Sequence, residues 1–285
     1  MSVSTLTQVA DQIQKYWSPI FTKQLRESLL LGSLVDKKYQ GAIARQGDTV
    51  RVSQVNAPNG QLLTVGTDAD AFDTEAISTS YVDIKADKRA VAAYEFQDLV
   101  ELQSQISQSN PDVMEALRFA MAKQINTYLY SLVSPSTSAP DHSVSAVTDF
   151  NASQLAAVRT LAAQAKWPDM PGWYGLLDPQ YYSDMLNATT LTSMDYGASD
   201  APLIGGKVAL KRYGFNLIED NSRSADFGLF FHPDFLHMVT QSEVQVKISD
   251  PHSQKRFGVV MSVDMVFGAK LGINGNVKHI KVFNS

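Results

Sequence analysis

Between residues 6 and 31 the apolar positions Val9, Ile13, Trp17, Ile20, Phe21, Leu25, Leu29 and Leu30 recur at helical spacing. This predicts an amphipathic helix, with Lys15, Lys23 and Arg26 on its polar side and a break at Pro19. A stripe of this kind must be laid on something, either the body of its own domain or a neighbouring subunit. Residues 49–55 then alternate, with Val50 and Val52 on one face and Arg51 and Ser53 on the other, which predicts a strand. A long polar stretch follows: Asn56-Ala-Pro-Asn-Gly60, then Asp68, Asp70, Asp73 and Glu75. The chain leaves it through a second alternating segment, Val82, Ile84 and Ala86 against Tyr81, Asp83 and Lys85. Two strands flanking so long an excursion predict an extended hairpin. A connection of this size in a compact domain is functional or disordered.

The strongest helical pattern comes next. Asn110 is a good N-cap, Pro111 suits the first helical position, and Asp112 complements the positive helix end. Met114, Leu117, Met121, Ile125, Tyr128 and Leu132 carry the stripe, and Pro135 and Pro140 end it within a Ser/Thr/Pro-rich linker, 134–145. Asn151 and Gln154 resemble a capping box opening a helix with Leu155, Val158 and Leu161 on one face, stopped at Trp167-Pro168. Gly172 to Leu177 reads as a buried strand, and Asp178-Pro179 caps a helix holding Tyr182, Met185 and Leu186. Residues 195–206 read as a loop. Strand patterns then follow at 215–218, 227–231, 244–248, 259–267 and 279–283, with Gly272-Ile-Asn-Gly275-Asn as a hairpin turn between the last two. Helices and strands mix without regular alternation, so the expected class is α+β with antiparallel sheets.

Composition narrows the chemistry. With 24 Lys and Arg against 29 Asp and Glu, the net charge of −5 argues against a surface that attracts nucleic acid as a whole. The chain has no cysteine, which excludes disulfides, thiolate zinc sites and cysteine nucleophiles. The start, Met1-Ser-Val-Ser-Thr-Leu-Thr, has no basic segment followed by an apolar one, and no apolar run is long enough for a membrane span. A soluble, non-secreted chain without membrane association is expected.

The one cluster of ligand-like residues, His232, Asp234 and His237, matches no zinc spacing and reads better as a strand end capping the next turn. Gly205-Gly206-Lys207 lacks the rest of a phosphate loop, and there is no nucleophile elbow. Acidic pairs such as Asp68 and Asp70 fall in a loop that should be solvated, which offers no burial to set up acid catalysis. Lys88-Arg89, Lys207 with Lys211-Arg212, and Lys255-Arg256 read as solvated charges. No catalytic, cofactor or metal site is expected, and an enzyme is the least favoured reading.

The order and length of these elements together resemble the capsid fold of tailed-bacteriophage major capsid proteins, shared with herpesvirus shells. Thr49 to Ala86 is similar to that family's extended loop, and Asn110 to Leu132 to its spine helix. Gly172-Trp-Tyr-Gly-Leu-Leu-Asp-Pro-Gln-Tyr-Tyr182 and Gly214 to Ile218 are similar to parts of its axial domain. Phe227 to His237 with Val244 to Ile248 looks like the return to the peripheral domain. Phe257 to Leu271 looks like the long peripheral strand, and Val277 to Phe283 like the last axial strand. The resemblance implies an N-terminal arm (1–45), an extended loop (46–90), a peripheral domain (91–140 and 237–271) and an axial domain (141–236 and 272–285).

It also implies a subunit of an icosahedral head, self-assembling into pentamers and hexamers around packaged double-stranded DNA held without sequence specificity. The protein would reside in the virion, and in the host cytoplasm during assembly. Its partners would be other copies of itself, a portal protein, a separate scaffolding protein and a decoration protein. A cellular nanocompartment shell of the same fold, or another phage structural protein, is the alternative. Some family members cross-link a loop lysine to a neighbour's asparagine. Residues 46–84 contain no lysine, so that link should be absent here. Intersubunit contacts are expected from Leu62, Leu63, Val65 and Phe72, with Asp68, Asp70, Asp73 and Glu75 beside them, and from Trp17, Phe21 and Arg26 of the arm. The loop tip holds too little apolar surface to offset its ordering cost of about 1–2 kcal/mol per residue, so it should order only against a neighbour.

Overall fold

The computed structural model describes residues 27, 29–39, 49–63, 74–96, 111–133, 142–144, 150–169, 172–188, 211–223, 226–241, 244–249 and 258–284. Most of the expected first helix lies outside them. Where it is described, the expectation fails: Glu27, Leu29 and Leu30 are not helical, and a four-residue helix, α1 (Leu31–Leu34), follows instead. Leu31 is buried beside the long helix α2 (Pro111–Val133), and Glu27 meets Lys123 of α2 at 2.5 Å. The leucine run thus serves a short docking turn.

Helix α2 has 23 residues and spans roughly 35 Å at about 1.5 Å per residue. Leu117, Met121, Ile125, Leu129 and Val133 form its buried stripe, with Met114, Tyr128 and Leu132 half-buried alongside. Each buried side chain of this size contributes about 1.5–3 kcal/mol. The Asn110 cap lies outside the described residues.

The stripe packs on a four-stranded antiparallel sheet built around the thirteen-residue strand β11 (Val259–Leu271). Along one edge of β11 lie β10 (Gln245–Ser249) and then β9 (Leu236–Thr240); along the other lies β3 (Lys88–Phe96). Strand β3 shows no clear pattern in the sequence. Its inward residues, Ala90 and Ala92, are too small to give a clear alternation, and they let α2 lie close over the sheet.

A second core fills one face of a six-stranded sheet with order β4 (His142–Val144), β12 (His279–Asn284), β8 (Phe227–Phe231), β5 (Trp173–Leu177), β7 (Phe215–Glu219), β6 (Lys211–Arg212). Helices α3 (Ala152–Gln164) and α4 (Pro179–Asn187) contribute to this core through Leu155, Val158, Tyr181 and Met185. Both expected caps form: Asn151 accepts from the backbone N–H of Ser153 and Gln154, and Asp178 from that of Tyr181.

Three expectations need correction. The sheet is mixed, not antiparallel, because β5 runs parallel to β7 and β12 parallel to β4. The polar linker contains β4, which takes an edge position beside β12 and so needs no apolar run of its own. Residues 272–276 do not turn a hairpin. The end of β11 is already paired with β9, and Gly272 N–H is donated to the Phe235 carbonyl. Left-handed Asn274 and a 3-10 turn, Gly275–Val277, then send the chain into the other sheet against β8.

Strands β1 (Thr49–Val55) and β2 (Thr79–Lys85) form the expected hairpin, paired with each other in register from Thr49–Lys85 to Val55–Thr79.

Candidate assembly surfaces

The two faces of the hairpin differ at its root. Val50, Val52, Val82 and Ile84 share one face and close a small core with Tyr39, Val239, Val266 and Ile273. The other face carries a bidentate pair, Arg51 Nε to Asp83 Oδ1 at 2.7 Å and Nη2 to Oδ2 at 2.8 Å. The guanidinium also lies 4.4 Å from the Tyr81 ring centroid. The charge-assisted bonds to Arg51 hold the Asp83 carboxyl below its ordinary pKa.

Beyond the strands, polar rungs keep the arms aligned. Asn56 N–H is donated to the Ser78 carbonyl at 3.0 Å, and Ser80 Oγ–H to Asn56 Oδ1 at 3.1 Å. Asn59 donates its side-chain amide to Glu75 Oε1 at 2.7 Å and its backbone N–H to Oε2 at 3.2 Å, which lowers the Glu75 pKa.

Along this projection apolar side chains stand in solvent. Leu62 is 100% exposed, Ile77 85%, Val55 66% and Leu63 45%. Of the residues expected to make intersubunit contacts, Leu62, Leu63 and Glu75 are therefore placed on one projecting element. Val65, Asp68, Asp70, Phe72 and Asp73, and Trp17, Phe21 and Arg26 of the arm, lie outside the described residues. Val55 and Ile77 went unnoticed in the sequence because a strand-end valine and a lone isoleucine look like core residues. A second unnoticed surface is β10, where all five residues are exposed and Val246 and Ile248 face the same way as Ala92 and Tyr94.

The histidine cluster is structural. His232 is fully buried, and its Nδ1 accepts the Asp234 backbone N–H at 3.2 Å, capping the 3-10 turn Pro233–Phe235 as expected. His237 points elsewhere: its Nδ1 lies 3.0 Å from Asp36 Oδ2, and both side chains are buried. Burial holds its pKa below the ordinary value. Asp36 N–H is donated to the Leu236 carbonyl and Met238 N–H to the Asp36 carbonyl, which clips residues 31–38 onto β9. Lys38 completes the cluster, 2.9 Å from Asp234. Burial raises the Asp234 pKa, but the bond to and charge of Lys38, with smaller effects from His232 and Lys278, together hold the carboxyl below its ordinary value. Among the described residues no three His, Asp or Glu side chains are grouped to hold a metal ion. No described helix is long and apolar enough to cross a membrane.

A second buried polar cluster joins α2 to the six-stranded sheet. Tyr130 donates its hydroxyl to buried Asp220, and Arg223 lies 4.5 Å from the Tyr130 ring centroid.

Neither a family model nor a curated protein sequence matches the chain. Solved structures do. A chain from Mycobacterium phage Che8 superposes with a TM-score of 0.78 at 20% identity, covering 94% of this chain and 96% of that one. The capsid structure of cyanophage P-SCSP1u gives 0.74 at 16%, covering 97% and 94%, and the cyanophage Pam1 capsid gives 0.71 at 12%, covering 99% and 98%. The chain has the phage capsid fold. At these identities the likeness is one of fold, and it extends over nearly the full length on both sides.

Proposed function

We propose that this chain is the structural subunit of an icosahedral phage head and assembles with copies of itself into the pentamers and hexamers of a shell enclosing double-stranded DNA. One observation carries the reading. The fold match to phage capsid chains runs nearly end to end, with 94–99% of this chain and 94–98% of each of the three counterparts covered. A partial match would leave room for a shared module with another role.

The hairpin supports the reading physically. An element that exposes Leu62, Ile77 and Val55 gains stability when a neighbouring subunit covers them, at roughly 25 cal/mol per Å² of apolar area. Interfaces of this kind exceed about 2,000 Å² in permanent assemblies, and each subunit repeats the contact around a closed ring. The arm residues Trp17, Phe21 and Arg26, and Val65, Asp68, Asp70, Phe72 and Asp73 of the tip, belong to the same contact set in this reading. Residues 91–140 with 237–271 form the peripheral domain, and 141–236 with 272–285 the axial domain. The protein resides in the virion, its subunits are made in the host cytoplasm, and a portal protein, a scaffolding protein and a decoration protein are its partners.

Sedimentation and electron microscopy of the purified chain, with a scaffolding partner co-expressed, test this directly. Closed particles with five- and six-fold rings are expected. Monomers or small closed oligomers under those conditions rule the reading out.

A further inference from the structure

We propose that Asn59–Gly60 is a self-modification site, at which the subunit converts Asn59 to aspartate or isoaspartate and loses one of the polar rungs that align its hairpin. The chemical step stands on the structure alone; its consequence for assembly rests on the capsid reading. The chain contains two Asn-Gly pairs, 59–60 and 274–275. Such pairs are reactive because glycine places no Cβ beside the attacking nitrogen and leaves the backbone free to rotate. The Gly60 nitrogen attacks Asn59 Cγ, and the new C–N bond closes a succinimide as the Cγ–Nδ2 bond breaks. The proton released from the Gly60 amide leaves with Nδ2 as ammonia. Water then opens the ring at either carbonyl, and no oxidant or reductant is involved.

The structure separates the two pairs. Gly275 is buried, its N–H is donated to the Gly272 carbonyl at 2.8 Å, and a Cβ there would stand 2.4 Å from the Phe235 carbonyl oxygen. Asn274 is held in the left-handed region at φ 58° within the same turn. Neither residue can rotate toward ring closure without opening the junction between the two sheets. Asn59 and Gly60 are exposed, nothing stands within 4 Å of a Cβ built on Gly60, and Asn59 is restrained by its two surface hydrogen bonds to Glu75, not by a buried turn.

The product also matters at this position. Asn59 Nδ2 is a donor 2.7 Å from Glu75 Oε1. Conversion replaces that donor with a carboxylate oxygen facing another carboxylate, and isoaspartate adds a backbone methylene that shifts the arm. An attractive rung becomes a repulsive one.

The full chain is incubated at mildly alkaline pH, and its peptides are followed by mass spectrometry. Asn59 should convert at least roughly tenfold faster than Asn274, the factor set by about 1.4 kcal/mol of local opening at the protected pair. In denaturant the two rates should converge, and Gly60→Ala should slow conversion at Asn59 alone. Equal rates in the native chain, or faster conversion at Asn274, overturn the proposal. For the consequence, Asn59→Asp is compared with freshly made chain in shell assembly, where a several-fold loss of particles is expected. Equal yields overturn the consequence while leaving the capsid reading intact. Failure of the fresh chain to form shells counts against the capsid reading and leaves the mass-spectrometric result standing.

Discussion

Gly268 of β11 lies directly beneath the carbonyl oxygen of Lys85, so close that a Cβ on Gly268 would stand 1.8 Å from it. Lys270, two residues on, donates from Nζ to the Asp83 carbonyl at 3.2 Å. The hairpin therefore leaves the body of the protein across a seat that only glycine permits. Gly268→Ala should force β2 and β11 apart and cost about 1–3 kcal/mol, read as a lower denaturant midpoint. An unchanged midpoint would show that the hairpin root sits elsewhere.

Replacing Leu62 to Val65 with a short Gly/Ser segment should leave the thermal transition of the free subunit nearly unmoved. Leu62 is fully exposed and the packed root begins at Val52 and Val82. Assembly should fail or yield fragile particles. Unfolding of the free variant would place the segment in a core; normal particles would remove the hairpin tip from the intersubunit contact.

Tyr130→Phe removes the hydroxyl that Asp220 accepts from, leaving a carboxylate that is 1% exposed with the Ser222 N–H as a remaining donor. A cost of about 1–3 kcal/mol is expected. Burial also raises the Tyr130 pKa above its ordinary 10. The folded chain favours the neutral phenol, so this stability is present below pH 10 and is lost as pH rises above it. The variant should lose part of that alkaline slope in a denaturation series; an unchanged slope would exclude Tyr130 as its source.

His237 supplies a slope on the acid side. Asp36, Lys38, Asp234 and Lys278 surround it, yet burial prevails and lowers its pKa from 6.5. As pH falls, the unfolded chain takes up this proton first, so stability is present above 6.5 and declines below it until the folded imidazole also protonates. His237→Gln should flatten the denaturant midpoint in that window. A wild-type decline in the variant would assign the slope to other groups.

Much of the secondary structure was legible because local rules were strong. Asn151 and Asp178 cap the helices that their side chains announce, and the Val/Ile alternation of β1 and β2 survives as an inner and an outer face. What escaped notice were elements whose character depends on neighbours. β3 faces α2 with alanines, and β4 is three polar-flanked residues that become a strand only beside β12. The candidate surface was half legible. Leu62 and Leu63 stood out as apolar residues in a polar stretch, whereas Val55, Ile77 and the all-exposed β10 could be told from core only by position.

The sequence by itself determined the caps at Asn151 and Asp178, the long α2 stripe, most of the strands and the projecting hairpin, because helical and strand periods and cap chemistry act within a few residues. Only the tertiary structure decided which strands pair, that Gly275 turns the chain into the other sheet, and that Asp36 reaches His237 across 201 positions of chain. Those contacts join segments with no local relation. They exist because laying residues 31–38 along β9 leaves these polar groups facing one another, where an unpaired partner costs more than the pairing.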